Sequence, residues 1–428
     1  MAAFEILIVF LILLILSIPV GVALGISSIL PSVLFANFTE SATYIIRSMI
    51  GGLDSFPLLA IPMFVLSGII MTKGGVSKKL FNIFAYFFGK KRAGMPCAVI
   101  VTCLFYGAIS GSAPATVATV GSMTIPVLLS LGYEKKFSTA IVAVAGGLGV
   151  IIPPSIPFIL YGMASGTSVG DLFKAGIVPG IIIALLLMIY SWVYCYRNGE
   201  DKERINSVVN DLHSEGIGKL IKEGIWALFA PIIILGCIYG GIASPTEAAV
   251  ISVFYALFVS MVVYKTIKFK DIFGIFTEAV KTYGPLLFIL IASSAFSRVL
   301  TLMEVPQNIS IWILHSFANK VAIVLIINLF LLLIGMLMDT TPAILITTPI
   351  LLPIMVSIGM SPIQFGVVMV VNLAIGFVTP PIGVNLFVAS SLTNVPVMDI
   401  AKKAIPLICM FLIALMLITF IPGISLVL

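Results

Sequence analysis

The sequence predicts an all-α polytopic membrane protein built from two inverted repeats, each containing a long helix broken at a Pro-Pro pair. Three observations carry this. The chain is 61% hydrophobic and only 9% charged, against roughly 25% charged in ordinary soluble domains. Proline motifs recur at a fixed spacing between its halves, and Lys and Arg gather in alternate loops.

Apolar runs of about 20 residues can cross a hydrocarbon core about 30 Å thick as helices. In order they cover 4–35, 56–72, a 94–131 block, 137–168, 174–196, 225–241, 247–264, 283–303, a 321–358 block, 363–392 and 404–428. The first, MAAFEILIVFLILLIL onward, has no basic leader region and is expected to be a retained helix rather than a cleaved signal. Nine runs read as single crossings. The 94–131 block lies between flanks on the same side, Arg92 and Glu134, so it must enter and come back. A re-entrant hairpin and a pair of full crossings both satisfy that parity.

With the N-terminus inside, the predicted inner loops hold nineteen of the 23 Lys and Arg, and the outer loops only Arg47, Lys174 and Lys320. That asymmetry sets the orientation, with a cytoplasmic N-terminus. The net charge of +6 is therefore a topology signal and not a nucleic-acid surface. Cys97, Cys103, Cys195, Cys237 and Cys409 all sit in apolar segments without ligand spacing and read as small core residues.

The halves overlay at two adjacent offsets. Pro57 falls on Pro285, and Pro114-Ala115 on Pro342-Ala343, at an offset of 228. Pro126 then falls on Pro353, Gly149 on Gly376, Pro153-Pro154 on Pro380-Pro381, and Pro179 on Pro406, at 227. The topology runs 56–72 inward and 283–303 outward, so the repeats are inverted. Residues 1–197 form the first repeat, with its broken helix at 137–168, and 198–224 a polar cytoplasmic linker. Residues 225–428 hold one unmatched span and the second repeat, with its broken helix at 363–392.

The breaks GVIIPPSIP (149–157) and GFVTPPIGV (376–384) point to chemistry. Proline removes a helical donor and clashes with the carbonyl four residues back. The carbonyls released belong to Gly149 and Val150, and to Gly376 and Phe377. Within lipid such groups must face protein, water or an ion, and paired broken helices in inverted repeats recur at transporter sites. The hydrophobic blocks add hydroxyls. GAISGSAPATVATVGS (107–122) carries Ser110, Ser112, Thr116, Thr119 and Ser122, and GMLMDTTPAILITTP (335–349) carries Asp339, Thr340, Thr341, Thr347 and Thr348. Hard oxygens without clustered carboxylates suit Na⁺ rather than Ca²⁺ or Mg²⁺.

Asp339 is a carboxylate at membrane depth, a position usually tied to function, and is also expected to N-cap the segment that follows, with Pro342 in its first turn. Arg298 and Glu247 lie near span ends, where snorkelling or a mutual structural pair is the expectation. Gly21/Gly25 and Gly107/Gly111 have small-xxx-small spacing, and the first pair reads as close helix packing. No G-x-x-x-x-G-K-[ST] phosphate loop occurs, and the only histidines, His213 and His315, lie outside the apolar core. An enzyme is not expected.

The runs GAISGSAPATVATVGSMTIP, GGLGVIIPPSIPFILYG, GMLMDTTPAILITTPILLPI and NLAIGFVTPPIGVNLFVAS resemble the large membrane subunit of tripartite ATP-independent periplasmic (TRAP) transporters, over essentially the whole chain. The resemblance implies an elevator-type, ion-transporter-like fold with re-entrant helical hairpins at 94–131 and 321–358. It also implies a place in the bacterial inner membrane, Na⁺-coupled import of an organic acid, and two partners: a small four-helix membrane subunit as a separate chain, and a periplasmic substrate-binding protein. Residue by residue, it implies one Na⁺ site where Ser110, Gly111 and Ser112 meet Gly149, Ile152 and Pro154. A second would form where Gly335, Met338, Asp339 and Thr340 meet Gly376, Thr379 and Pro381. Substrate would lie between the hairpin tips, near Ser112, Thr116, Ser155, Thr341 and Asn385. Cargo of the sialic acid or C4-dicarboxylate class is expected, overall resemblance leaning to a sialic acid. From the residues alone, an ion or solute channel with paired re-entrant segments is the alternative, and a scaffold for a transporting partner is a third reading.

Overall fold

The computed structural model describes residues 2–16, 18–34, 41–214, 216–317 and 319–426, and among these it holds helices and no strand. The first half contains α1 (Ala2–Ile15), α2 (Val20–Leu34), α3 (Ala42–Gly51), α4 (Ala60–Lys73), α5 (Val76–Phe88), α6 (Gly94–Ser110), α7 (Ala113–Ser130), α8 (Lys135–Ala145), α9 (Ile156–Ser165) and α10 (Val169–Asn198). After α11 (Lys202–Ser214) and α12 (Ile217–Tyr239) come α13 (Pro245–Leu257), α14 (Ile272–Leu302), α15 (Val305–Ser316), α16 (Lys320–Leu337), α17 (Thr340–Ser357), α18 (Pro362–Gly376), α19 (Val384–Thr393), α20 (Val397–Phe420) and α21 (Gly423–Leu426).

Nine described segments are long and apolar enough to cross a membrane, but they are not the nine single crossings read from hydrophobicity. Three of them, α7, α16 and α17, are arms of the two hydrophobic blocks. In return, three expected crossings are divided. The run 4–35 is split between α1 and α2 by Pro19, which cannot donate to a helix running through it. The runs 137–168 and 363–392 are split at their Pro-Pro pairs, Pro153-Pro154 and Pro380-Pro381, both of which are cis.

Each block is two helices joined by a tight turn. Gly111 turns the first with φ +61°, a conformation glycine adopts without cost. Met338 and Asp339, both extended, turn the second. The broken helices lie at the centre of the molecule: residues 137–162 and 364–378 are buried without interruption. A helix apolar on every side is stable only where it is surrounded.

Packing crosses between the halves in matched pairs. α4 packs on α13, and their counterparts α14 and α2 pack on each other. Arm α7 packs on α19, and its counterpart α17 on α9. Hydrogen bonds also cross between the halves: Ser67 Oγ on α4 donates to the Ser252 carbonyl on α13 at 3.1 Å, and Tyr161 Oη on α9 to the Pro362 carbonyl on α18 at 2.6 Å.

The segment read as a polar linker is largely helical. α11 buries Ile205 and Val209 and packs on α5, because its apolar residues fall on one face while its charges point away. The Arg298–Glu247 pair does not form. Glu247 closes a capping box with Ser244 at the start of α13, while Arg298 donates from Nε and Nη2 to the Tyr44 hydroxyl.

Candidate functional site

Both hairpin tips rest on the Pro-Pro breaks through glycine-to-glycine contact. A β-carbon on Gly107 would lie 2.7 Å from the Gly149 α-carbon, and one on Gly376 would lie 2.3 Å from the Gly335 carbonyl carbon. Gly107 and Gly335 are related by the 228 offset, Gly149 and Gly376 by the 227 offset. The repeat in the sequence therefore corresponds to the same backbone contact, made twice. Such approach is open only to residues without a side chain.

At the first tip, Gly111 sits close enough to the break that a β-carbon there would come within 3.1 Å of the Pro154 carbonyl oxygen. Gly149 faces Thr116 and Ser112, its would-be β-carbon 2.4 Å from Thr116 Oγ1 and 2.7 Å from the Ser112 carbonyl. Ser110 Oγ and Thr116 Oγ1 lie 2.9 Å apart, and Thr116 Oγ1 donates to the Ser112 carbonyl at 2.8 Å. Ser110, Ser112, Thr116, Gly149 and Pro154 are thus brought together as a cluster of neutral oxygens. Ile152 turns its side chain toward Gly180 on α10, so only its backbone is available to this cluster.

Three of the four carbonyls released by the prolines find partners within the protein. Val150 accepts from Ser155 Oγ at 2.5 Å, Gly376 from the Thr379 amide at 3.1 Å, and Phe377 from the Asn385 amide at 3.0 Å. Of the four, only the Gly149 carbonyl receives no hydrogen bond from the described residues. A carbonyl has two lone pairs, so the other three keep one for further coordination. Ser155 is fully buried and its hydroxyl serves the break, donating to Val150 and accepting from the Phe158 amide.

At the second tip Asp339 caps α17: its carboxylate accepts from the Thr340 amide at 2.6 Å and from Thr340 Oγ1 at 3.3 Å. Those hydrogen bonds stay within its own turn, and the residue is exposed at the tip. Thr340 and Thr341 are buried beside it, Met338 is partly buried, and Thr379 Oγ1 donates to the Ile375 carbonyl at 2.8 Å. Pro381 is exposed. Asn385 is fully buried, donates from Nδ2 to the Ala143 carbonyl at 3.0 Å, and leaves its Oδ1 without a partner.

Two features were missed in the sequence. Gly107 belongs with Gly149, and its relation to Gly335 by the 228 offset was the signal. Asn328 and Asn372 form a buried pair between α16 and α18, with Nδ2 of Asn372 donating to Oδ1 of Asn328 at 2.6 Å. Asparagine within an apolar helix was a signal for it. Among the described residues no group of three His, Cys, Asp or Glu could hold a metal ion. The donor set is hydroxyl and carbonyl at the first tip and adds the Asp339 carboxylate at the second, all hard oxygens.

The molecule has known counterparts. Residues 7–424 match the family model described as "Tripartite ATP-independent periplasmic transporter, DctM component". The chain is 42% identical over 415 residues to the isethionate TRAP transporter permease protein DctMQ of Oleidesulfovibrio alaskensis, covering 97% of this chain and 64% of that longer protein. It is 36% identical to the C4-dicarboxylate TRAP transporter large permease protein DctM of Pseudomonas aeruginosa, covering 95% of this chain and 93% of the relative. Among solved structures, the Alcanivorax borkumensis YdaH transporter overlays with a TM-score of 0.66 at 13% identity, covering 99% of this chain and 98% of the other, which shows a shared fold. With the family model spanning nearly all of it and both relatives matching along almost its full length, this chain belongs to the DctM component family of tripartite ATP-independent periplasmic transporters.

Proposed function

We propose that this chain is the permease of a Na⁺-coupled importer of small organic acids in the bacterial inner membrane. It works with a small membrane subunit and a periplasmic binding protein, and moves cargo by an elevator displacement of the hairpins and broken helices. The observation that carries the reading is the doubled contact of each hairpin tip with a Pro-Pro break, Gly107 on Gly149 and Gly335 on Gly376. It supports two equivalent cation sites in inverted repeats, with re-entrant hairpins as their covers. Ser110, Ser112, Thr116 and the Gly149 carbonyl would hold one ion, and Asp339, Thr340, Thr379 and the Gly376 carbonyl the other. The loop charges favour a cytoplasmic N-terminus.

The two relatives bear the names of isethionate and C4-dicarboxylates. Both are small anions, which favours that class of cargo over a sialic acid. Fixed positive charge is absent from both tips, so bound Na⁺ and the N-terminal ends of α7 and α17 would offset the cargo's charge. Each Na⁺ moving inward contributes about 2.3 kcal/mol per 100 mV of membrane potential. Two ions therefore outweigh the electrical cost of a monoanion and balance that of a dianion.

Reconstitution tests this. Proteoliposomes holding this chain and its small subunit, supplied with the binding protein and labelled succinate or isethionate, should accumulate cargo only under an inward Na⁺ gradient. Asp339→Asn and Thr379→Val should lower uptake at least ten-fold or raise the Na⁺ needed for it, while the protein still purifies intact. Rapid flux without Na⁺ would point to a channel and end the proposal.

A further inference from the structure

A second polar recess lies between α3 and the end of α14 remote from the loop 265–271. It has a volume of about 710 Å³ and is wide open to the outside, with Arg47 and Arg298 both exposed. Arg47, Ser48 and Tyr44 line it from α3, and Ser294, Ser297 and Arg298 from α14. Among the described residues no carboxylate lines it. Gly52 lets α3 close against α14 at one end, since a β-carbon there would meet Ser294 Oγ at 2.5 Å.

Two guanidinium groups in one recess are unusual in this molecule. Lys and Arg number 23 and nineteen belong to the loops of the opposite face. Arg298 is also built in place: its Nε and Nη2 donate to the Tyr44 hydroxyl at 2.9 and 2.8 Å. A phenol oxygen orients the guanidinium without neutralising it. Three of the five N–H donors remain, and they form a planar fork suited to carboxylate, sulfonate or phosphate oxygens. Arg298 makes no ion pair among the described residues.

We propose that the Tyr44–Arg47–Arg298 recess is an oxyanion-binding site, separate from the hairpin tips, that takes the head group of a small organic acid or of an anionic phospholipid. The two sources share one chemistry, an oxyanion gripped by two guanidinium groups and ringed by hydroxyls. The inference extends the organic-anion reading of the permease, but binding here needs no Na⁺, so the two stand or fall separately.

The test uses the purified full chain in choline medium without Na⁺. One arm measures binding of labelled succinate and isethionate. The other measures retention of phosphatidylglycerol against phosphatidylcholine in nanodiscs by native mass spectrometry. If soluble acids are the ligand, the wild type binds one of them saturably, and Arg47→Gln/Arg298→Gln weakens it at least ten-fold while Lys320→Gln does not. If lipid is the ligand, the soluble acids fail to bind, and preferential retention of phosphatidylglycerol falls by a similar factor in the same double variant. Should that variant not fold, Arg298→Lys, which keeps the charge but loses the fork, should still weaken whichever probe binds. A wild type that neither binds the acids nor prefers phosphatidylglycerol overturns the proposal, as does unchanged binding in the folded variants. Loss of Na⁺-driven uptake with this binding intact would count against the hairpin-tip reading instead.

Discussion

At Gly376 a single methyl group would have to occupy space already taken by the Gly335 backbone, 2.3 Å away. Overpacking of this kind costs about 1–3 kcal/mol, and backbone on both sides leaves little room to relax. Gly376→Ala is expected to lower the melting temperature in detergent and abolish uptake. Gly274→Ala, at a glycine with nothing within 4 Å, should leave both unchanged. The Asn328–Asn372 pair makes a different prediction. Removing one partner leaves a buried amide unsatisfied, at about 1–3 kcal/mol. Asn328→Leu alone should therefore destabilise more than Asn328→Leu/Asn372→Leu together, and thermal melts of the two single variants and the double decide it. Gly149 and Gly376 were legible because prolines marked them. Their partner Gly107 carried only a long-range signal, its 228 offset from Gly335, since contact between distant segments leaves no local pattern. The released carbonyls show the same limit: proline frees the acceptors, but only the fold shows that Ser155, Thr379 and Asn385 take up three of them.

Among the elements, α8 and α20 are joined at their N-terminal ends by two ion pairs, Glu134 with Lys403 at 2.6 Å and Lys136 with Asp399 at 2.9 Å. Tyr194 also donates to the Glu134 carboxylate at 2.7 Å. Burial pushes the Glu134 carboxyl up, but the hydrogen bonds from Lys403 and Tyr194 outweigh it and hold it below its ordinary value of 4.5. A carboxylate lowered in the folded state contributes stability that is fully present above its ordinary value and is lost as pH falls through the lowered one. The melting temperature of the wild type should thus fall more steeply than that of Glu134→Gln as pH drops below about 4.5, with the two curves converging in acid. The effect will be small because the carboxylate is exposed. None of these pairs was legible beforehand, since the partners are far apart in the chain. The short helices α3, α5 and α11 escaped a hydrophobicity reading as well, being too short or too polar to register as spans. The long spans and both breaks were plain, because length and proline are local signals.

For the molecule as a whole, the exchanged packing is what makes two repeats one protein. α7 leans on α19 and α17 on α9, so each half completes the burial of the other's hairpin arm. Fragments 1–214 and 216–428 expressed together should copurify and recover part of the uptake, while each expressed alone should be degraded. Pulldown through a tag on one fragment measures this. Independent folding and stable accumulation of either fragment would contradict the exchanged arrangement. The same exchange bears on heredity. A damaging change in the first hairpin, at Gly121 for example, where a β-carbon would press on Leu392 at 2.9 Å, is best compensated far downstream, in the opposite repeat. Second-site suppressors of defects in residues 113–130 should therefore cluster in 384–393, and those of defects in 340–357 in 156–165. Each half can therefore change only at the pace the other allows.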